Sequence, residues 1–191
     1  MPLQNRVTPF GSLIATEARG TLTGNRGVIH DAERRIVRPF RLQRWIYCRL
    51  EFKGRHRVVM TPGRWTELFF LDEATAWAAG HRPCAECLTP RWREFRHLWN
   101  AERTCLAPEI DAQLHAERLG PRRAVLIDAL PAGAFYARDG QAYRVESGRG
   151  VRQWTPHGYQ PAQPVKGEVE LLTPPSIVAV LQRGFSEVSG W

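Results

Sequence analysis

The chain has four cysteines, at positions 48, 84, 87 and 105, and two of them stand in the turn-like run Arg82-Pro83-Cys84-Ala85-Glu86-Cys87. Two thiolates separated by two residues can bite one tetrahedral metal ion, and so supply half of a four-ligand zinc site. The remaining ligands must come from elsewhere in the chain. Cys48 and His30 are the leading candidates to join Cys84 and Cys87, ahead of His56, His81 and Cys105. His30 follows a glycine turn and stands beside Asp31, so a carboxylate is at hand to orient its second ring nitrogen. Cys48 falls on the apolar side of an alternating segment, where a small buried thiol is an equally natural occupant.

A second concentration of reactive groups occupies the first 31 residues: Glu17-Ala18-Arg19-Gly20, Gly24-Asn25-Arg26-Gly27 and His30-Asp31. Glu17, Asn25 and Asp31 combine carboxylate and amide chemistry that can activate a water or stabilise a cationic sugar during glycosidic cleavage. The plain structural alternative is that Glu17 pairs with an arginine and Asn25 fills a left-handed turn position. Asp31 with Glu51-Phe52-Lys53 also fits a permissive nuclease pattern of two carboxylates and a lysine, although a solvated strand face reads the same way. Asp111 and His115 share a helix face one turn apart, where ordinary helix surface accounts for them. His157, in the aromatic turn Trp154–Tyr159, is explained by packing.

The residues leading into the cysteine turn are Asp72-Glu73-Ala74-Thr75-Ala76-Trp77-Ala78-Ala79-Gly80-His81-Arg82-Pro83-Cys84. With Ala85-Glu86-Cys87 they resemble the second half of the metal-binding module of the Ada family of DNA-repair proteins. There an EA-x-x-x-G-[FY]-R-P-C-x-x-C run supplies half of the zinc cysteines. The resemblance covers Asp72–Cys87 and implies a DNA-facing zinc module with Cys84 and Cys87 as ligands. The family's second, upstream cysteine pair, which includes its methyl-accepting thiol, is missing here, and Cys48 is the one upstream cysteine.

Bulk composition is consistent with a nucleic-acid partner. The 191 residues carry a formal net charge of +8, and Lys53 and Lys166 are the only lysines among 27 basic residues. Arginine makes bidentate contacts to phosphate and stacks on bases, so Arg19, Arg26, Arg49, Lys53, Arg55, Arg57, Arg64 and Arg82 are the expected DNA contacts. A genome biased toward arginine, alanine, glycine and proline codons would give the same bulk charge. No apolar run approaches the ~20 residues of a membrane span, and no cationic start leads into an apolar signal region. A cytoplasmic location is therefore expected, where paired cysteines more often hold metal than form disulfides. The phosphate-binding loop, the dinucleotide fingerprint and the nucleophile elbow are all absent, so no nucleotide cofactor is expected. The zinc-deaminase signature is present only in its Pro-Cys-x-x-Cys half.

These groups need a scaffold, and the pattern predicts an α+β fold: a single mixed domain with a Cys-x-x-Cys zinc knuckle and a β-rich C-terminal half. Residues 1–120 would form the knuckle region and 121–191 a β-meander with a short terminal helix, meeting at Gly120-Pro121. Strands are expected over 35–42, 44–53, 58–60 and 67–71, with Ile46, Cys48, Leu50 and Phe52 on the apolar face of the second. Helices are expected over 90–103 and 108–119, then strands over 124–130, 134–138, 141–146 and 151–154, with Asp139-Gly140 as a hairpin turn. A last helix covers 177–183. The function expected is a DNA-binding hydrolase acting on damaged or modified DNA, with base excision preferred to strand cutting because it needs only one carboxylate and a pocket for an extruded base. A non-catalytic DNA reader and a protein-binding adaptor are the alternatives.

Overall fold

The computed structural model describes residues 1–54 and 58–188. Among these residues the fold is α+β, with two mostly antiparallel six-stranded sheets and four α-helices. The first sheet contains β1 (Gln4–Val7), β2 (Leu13–Ala15), β3 (Leu22–Asn25), β4 (Ile46–Arg49), β5 (Leu68–Phe70) and β6 (Arg82–Pro83), in the order β2-β1-β5-β3-β4-β6. Its parallel pairs are β1 with β5 and β4 with β6. The second sheet is antiparallel throughout: β7 (Ala124–Leu126), β8 (Phe135–Arg138), β9 (Gln141–Val145), β10 (Val151–Thr155), β11 (Gly158–Ala162) and β12 (Glu168–Leu171), in the order β11-β10-β9-β8-β12-β7.

The helices are α1 (Glu73–Ala78), α2 (Thr89–Trp99), α3 (Ala107–Leu119) and α4 (Pro175–Gln182). Asp72 starts α1 by accepting the Thr75 N–H at 2.7 Å, satisfying one of the orphan donors of the first turn. Gly80 ends the segment with φ of 75°, and a Cβ there would fall 2.9 Å from Cδ of Arg118. Both the left-handed backbone and the close approach of Arg118 require glycine. In α2, Trp92, Phe95 and Trp99 form the expected buried stripe, and Phe185 meets Phe95 edge-on. Asp139 (φ 49°) and Gly140 (φ 73°) join β8 to β9 in the tight hairpin their sequence predicts.

Several expectations need correction, and the strands expected over 44–53 and 124–130 shorten to Ile46–Arg49 and Ala124–Leu126. Segment 35–42 is not a strand; it contributes one isolated bridge, His30 to Ile36, and Pro39 has no N–H for a ladder. Segment 58–60 is a turn, with Met60 at φ 54°. Strand β4 presents the opposite face from the one expected: Tyr47 is fully buried, whereas Ile46 and Cys48 are half-buried on the outer side. Tyr47 can face inward because its hydroxyl donates to Oε1 of Glu73 at 2.7 Å and accepts from the Trp77 indole N–H at 3.2 Å.

The main hydrophobic core runs past residue 120, joining Val7, Leu22, Trp77, Phe95, Phe135 and Ile177, and a smaller cluster of Ile127, Tyr136, Val145, Val151 and Val169 packs within the second sheet. Two buried ion pairs cross the main core. Arg91 donates to Glu73 at 3.1 Å. Arg82 grips Asp111 with two bonds of 2.7 and 2.9 Å and lies over the Trp92 ring at 4.3 Å. Removing one partner of such a pair strands the other charge in the interior, which costs about 3–5 kcal/mol. Asp111→Ala is therefore expected to lower unfolding free energy in urea by about that much. A loss below about 1 kcal/mol, typical of exposed pairs, would show that Arg82 finds water in the folded state.

Candidate metal centre and adjoining pocket

The pairing of β4 with β6 creates the site. Arg82 N–H donates to the Trp45 carbonyl at 3.2 Å, and Cys84 N–H donates to the Tyr47 carbonyl at 2.9 Å. The chain leaving β6 is thus held alongside β4, and Cys84 and Cys87 arrive beside the outward side chain of Cys48. The three sulfurs all lie within 4.8 Å of one another. Tetrahedral zinc thiolates with bonds of ~2.3 Å require sulfurs about 3.8 Å apart, so the three cysteines are close enough to bind a metal ion.

The electrostatics of the cluster suit a cation. The Cys48 and Cys87 thiols donate toward Cys84, and the backbone N–H groups of Cys87 and Glu86 add to them, pulling the Cys84 thiol well below its ordinary range. Hydrogen bonding to Cys84 and Cys87, together with burial, drives Cys48 the other way. Three sulfurs in this space hold one negative charge readily and resist a second and third unless a cation compensates them.

The cysteines form one wall of a pocket of about 450 Å³ on the outer face of the first sheet. Outward residues of three adjacent strands line it: Thr23 and Asn25 from β3, Cys48 from β4 and Phe69 from β5. The register is direct, with Thr23 opposite both Cys48 and Phe69. Phe52 and Trp65 supply further aromatic wall, and Glu67 places a carboxylate in it. Glu67 is held by the Met60 N–H, which donates to Oε2 at 2.8 Å.

The other residues singled out from the sequence are dispersed. Asn25 lines the pocket, and its Oδ1 accepts the Gly27 N–H at 3.3 Å. Glu17 and Arg19 are exposed on a loop and do not line it. Asp31 folds its own loop, accepting the N–H groups of Arg35 and Glu33 and pairing with the Arg35 guanidinium at 2.9 Å. Those bonds, led by the Arg35 backbone, hold its carboxyl below the usual range. His30 is not in the metal group: its ring nitrogens face the Thr66 hydroxyl at 2.6 Å and the Thr61 carbonyl at 3.2 Å.

Among the expected DNA contacts, Arg49, Lys53 and Arg64 are exposed, and Arg49 also lines the pocket. Arg26 and Arg82 are buried, at 2% and 3% exposure, and serve the interior. Arg55 and Arg57, with His56, lie outside the described residues. Sequence reading missed Glu67 and Trp65. The available signal was the two-residue period of β3 and β5, which turns Thr23, Asn25 and Phe69 outward together. Among the described residues no helix is long and apolar enough to cross a membrane.

No protein-family model, curated protein or solved structure matches the chain.

Cobalt(II) titration should give a sulfur-to-metal charge-transfer absorption that saturates at one ion per chain. Cys48→Ser should weaken binding by more than the ~10-fold that loss of an outer-shell partner costs, and His30→Ala should leave it unchanged. An equal effect of both variants would remove Cys48 from the ligand set.

Proposed function

We propose that this chain is a zinc-thiolate DNA-processing protein that receives a damaged or modified base in the pocket beside Cys48, Cys84 and Cys87 and releases it by hydrolysis. One observation carries the reading: the three-cysteine cluster forms a wall of a pocket that also holds aromatic side chains, an amide and a carboxylate. The resemblance of Asp72–Cys87 to the Ada zinc module and the arginine-rich surplus of charge support DNA as the partner. Cys48, Cys84 and Cys87 would hold zinc between β4 and the Pro83–Cys87 turn, where it would supply a structural cross-link that stiffens that wall.

The chain's own groups then divide the work. An extruded base needs a flat apolar slot and polar groups for its edge, which Phe52, Trp65 and the Asn25 amide provide. Arg49 at the pocket, with Lys53 and Arg64 on the adjoining loops, meets the phosphates flanking that base. Glycosidic hydrolysis needs a carboxylate to stabilise the cationic sugar and orient water. Glu17 and Asp31 lie outside this pocket, so that role passes to Glu67.

The test is incubation of the zinc-loaded protein with labelled duplexes carrying modified bases, followed by denaturing gels with and without hot alkali. Breaks that require alkali are expected. Glu67→Gln should lower their rate by about 10²–10⁴-fold, the usual worth of a positioned acid–base group, while mobility shifts persist. Intact DNA in every lane together with a salt-sensitive mobility shift would replace the enzyme with a reader module, and no shift at all would sink the DNA reading.

A further inference from the structure

A separate cleft of about 1020 Å³ shares no lining residue with the cysteine pocket. Asn25 and Arg26, consecutive in the chain, line one each. Deep in the cleft two guanidiniums share one indole: Arg26 lies 3.9 Å and Arg118 4.0 Å from the centre of the Trp45 ring.

Among the described residues neither guanidinium has a carboxylate partner. Arg26 donates to the Gly11 carbonyl at 2.9 Å and to Nε2 of His81 at 3.3 Å. Arg118 donates to the carbonyls of Gly80 and Gln43, and its Nη2 lies 3.1 Å from Nδ1 of His115. One buried donor atom on each remains without a partner, Nη2 of Arg26 and Nε of Arg118, and Arg26 is only 2% exposed. The nearby acids are committed: Asp111 to Arg82, and Glu117 to the hydroxyl and backbone N–H of Ser176. Burial, with the Arg118 charge, lowers Arg26 to about 9. Burial brings Arg118 to about 9 as well, against the opposing pull of Asp111 and Glu117.

Buried arginines normally sit against carboxylates, and a buried donor without a partner costs on the order of 1–3 kcal/mol. Two such cations side by side lining an open cleft leave a place for an anion. The rim adds Arg38 and Arg123, both exposed, while Phe10 and Phe40 give the cleft apolar walls. A phosphate monoester carries about −1.5 to −2 charge at neutral pH, matching two guanidiniums better than the single charge of a carboxylate or an internal phosphodiester. Planar donors make bidentate contacts with its oxygens.

The geometry points to this cleft as a binding site for a terminal phosphate group, with the Arg26 and Arg118 guanidiniums as its anchors and a planar or apolar body lying along Phe10 and Phe40. Two sources share that chemistry: a free mononucleotide and the 5′-phosphorylated end of a DNA strand. The site is independent of the base-excision reading.

Isothermal titration of the whole protein with inorganic phosphate, AMP, and 5′-phosphorylated and 5′-hydroxyl forms of one oligonucleotide tests it. Saturable binding of phosphate and AMP is expected. Arg118→Gln should weaken it more than about tenfold, the worth of one charge-assisted bond. The exposed pair R38A/R123A should weaken it more modestly, and it decides the matter if Arg118→Gln fails to fold. Preference for the 5′-phosphorylated over the 5′-hydroxyl strand assigns the DNA-end source, and preference for AMP assigns the free nucleotide. Absence of saturable binding to phosphate, AMP and the phosphorylated strand overturns the proposal. So does wild-type affinity for phosphate and AMP in the folded variants; equal binding of the two oligonucleotides beside saturable AMP binding assigns the free nucleotide. Cobalt loading should be unchanged in R38A/R123A, which keeps the phosphate site separable from the cysteine site.

Discussion

The cysteine cluster depends on the parallel contact between β4 and β6. That contact is only two residues long, too short to persist through backbone bonds alone. Its permanence comes from the side chain of Arg82, which passes into the core, stacks on Trp92 and ends in a bidentate grip on Asp111 of α3. Everything built on the Pro83–Cys87 turn inherits its position from this anchor. An arginine that reads on paper as a DNA contact is instead the bolt that holds two thiols beside a third.

Charge is sorted by depth. Arg82 and Arg91 reach buried carboxylates, the first holding α3 to the first sheet and the second holding α2 to α1. Arg26 and Arg118 are also drawn inward, but they face an aromatic ring and backbone carbonyls. Arg19, Arg49 and Arg64 are among the arginines that stay exposed. A net charge of +8 therefore overstates how much positive surface is available to an external partner.

Legibility followed how local the determining physics was. The Asp72-started helix, the aromatic stripe of α2, the Asp139-Gly140 hairpin and the convergence of Cys84 with Cys87 could be read because each is decided within a few residues. The inward choice of Tyr47 over Cys48 could not, because it is settled by Glu73 and Trp77, far along the chain. Glu17, Asn25 and Asp31 looked like one cluster from proximity in sequence. The fold gives Asp31 a local turn to close, leaves Glu17 on the surface and takes only Asn25 to the pocket. Glu67 and Trp65 carried no motif, and only the assembled sheet brings them to the cysteines. Arg118 was equally silent, since its place against Trp45 depends on α3 crossing the loop before β4.

The alternation along β4 has a consequence for inheritance. Tyr47 and Cys48 are neighbours that serve opposite sides of one sheet, the first closing the interior and the second facing the thiol cluster. A side-chain replacement at either position damages one of these tasks and spares the other. Gain or loss of a single residue between Trp45 and Cys48 shifts the register and exchanges the faces, sending a thiol toward Glu73 and a phenol toward the cysteines. This stretch should therefore accept changes of letter far more readily than changes of length, and a deletion there would disrupt the interior and the thiol cluster in one event.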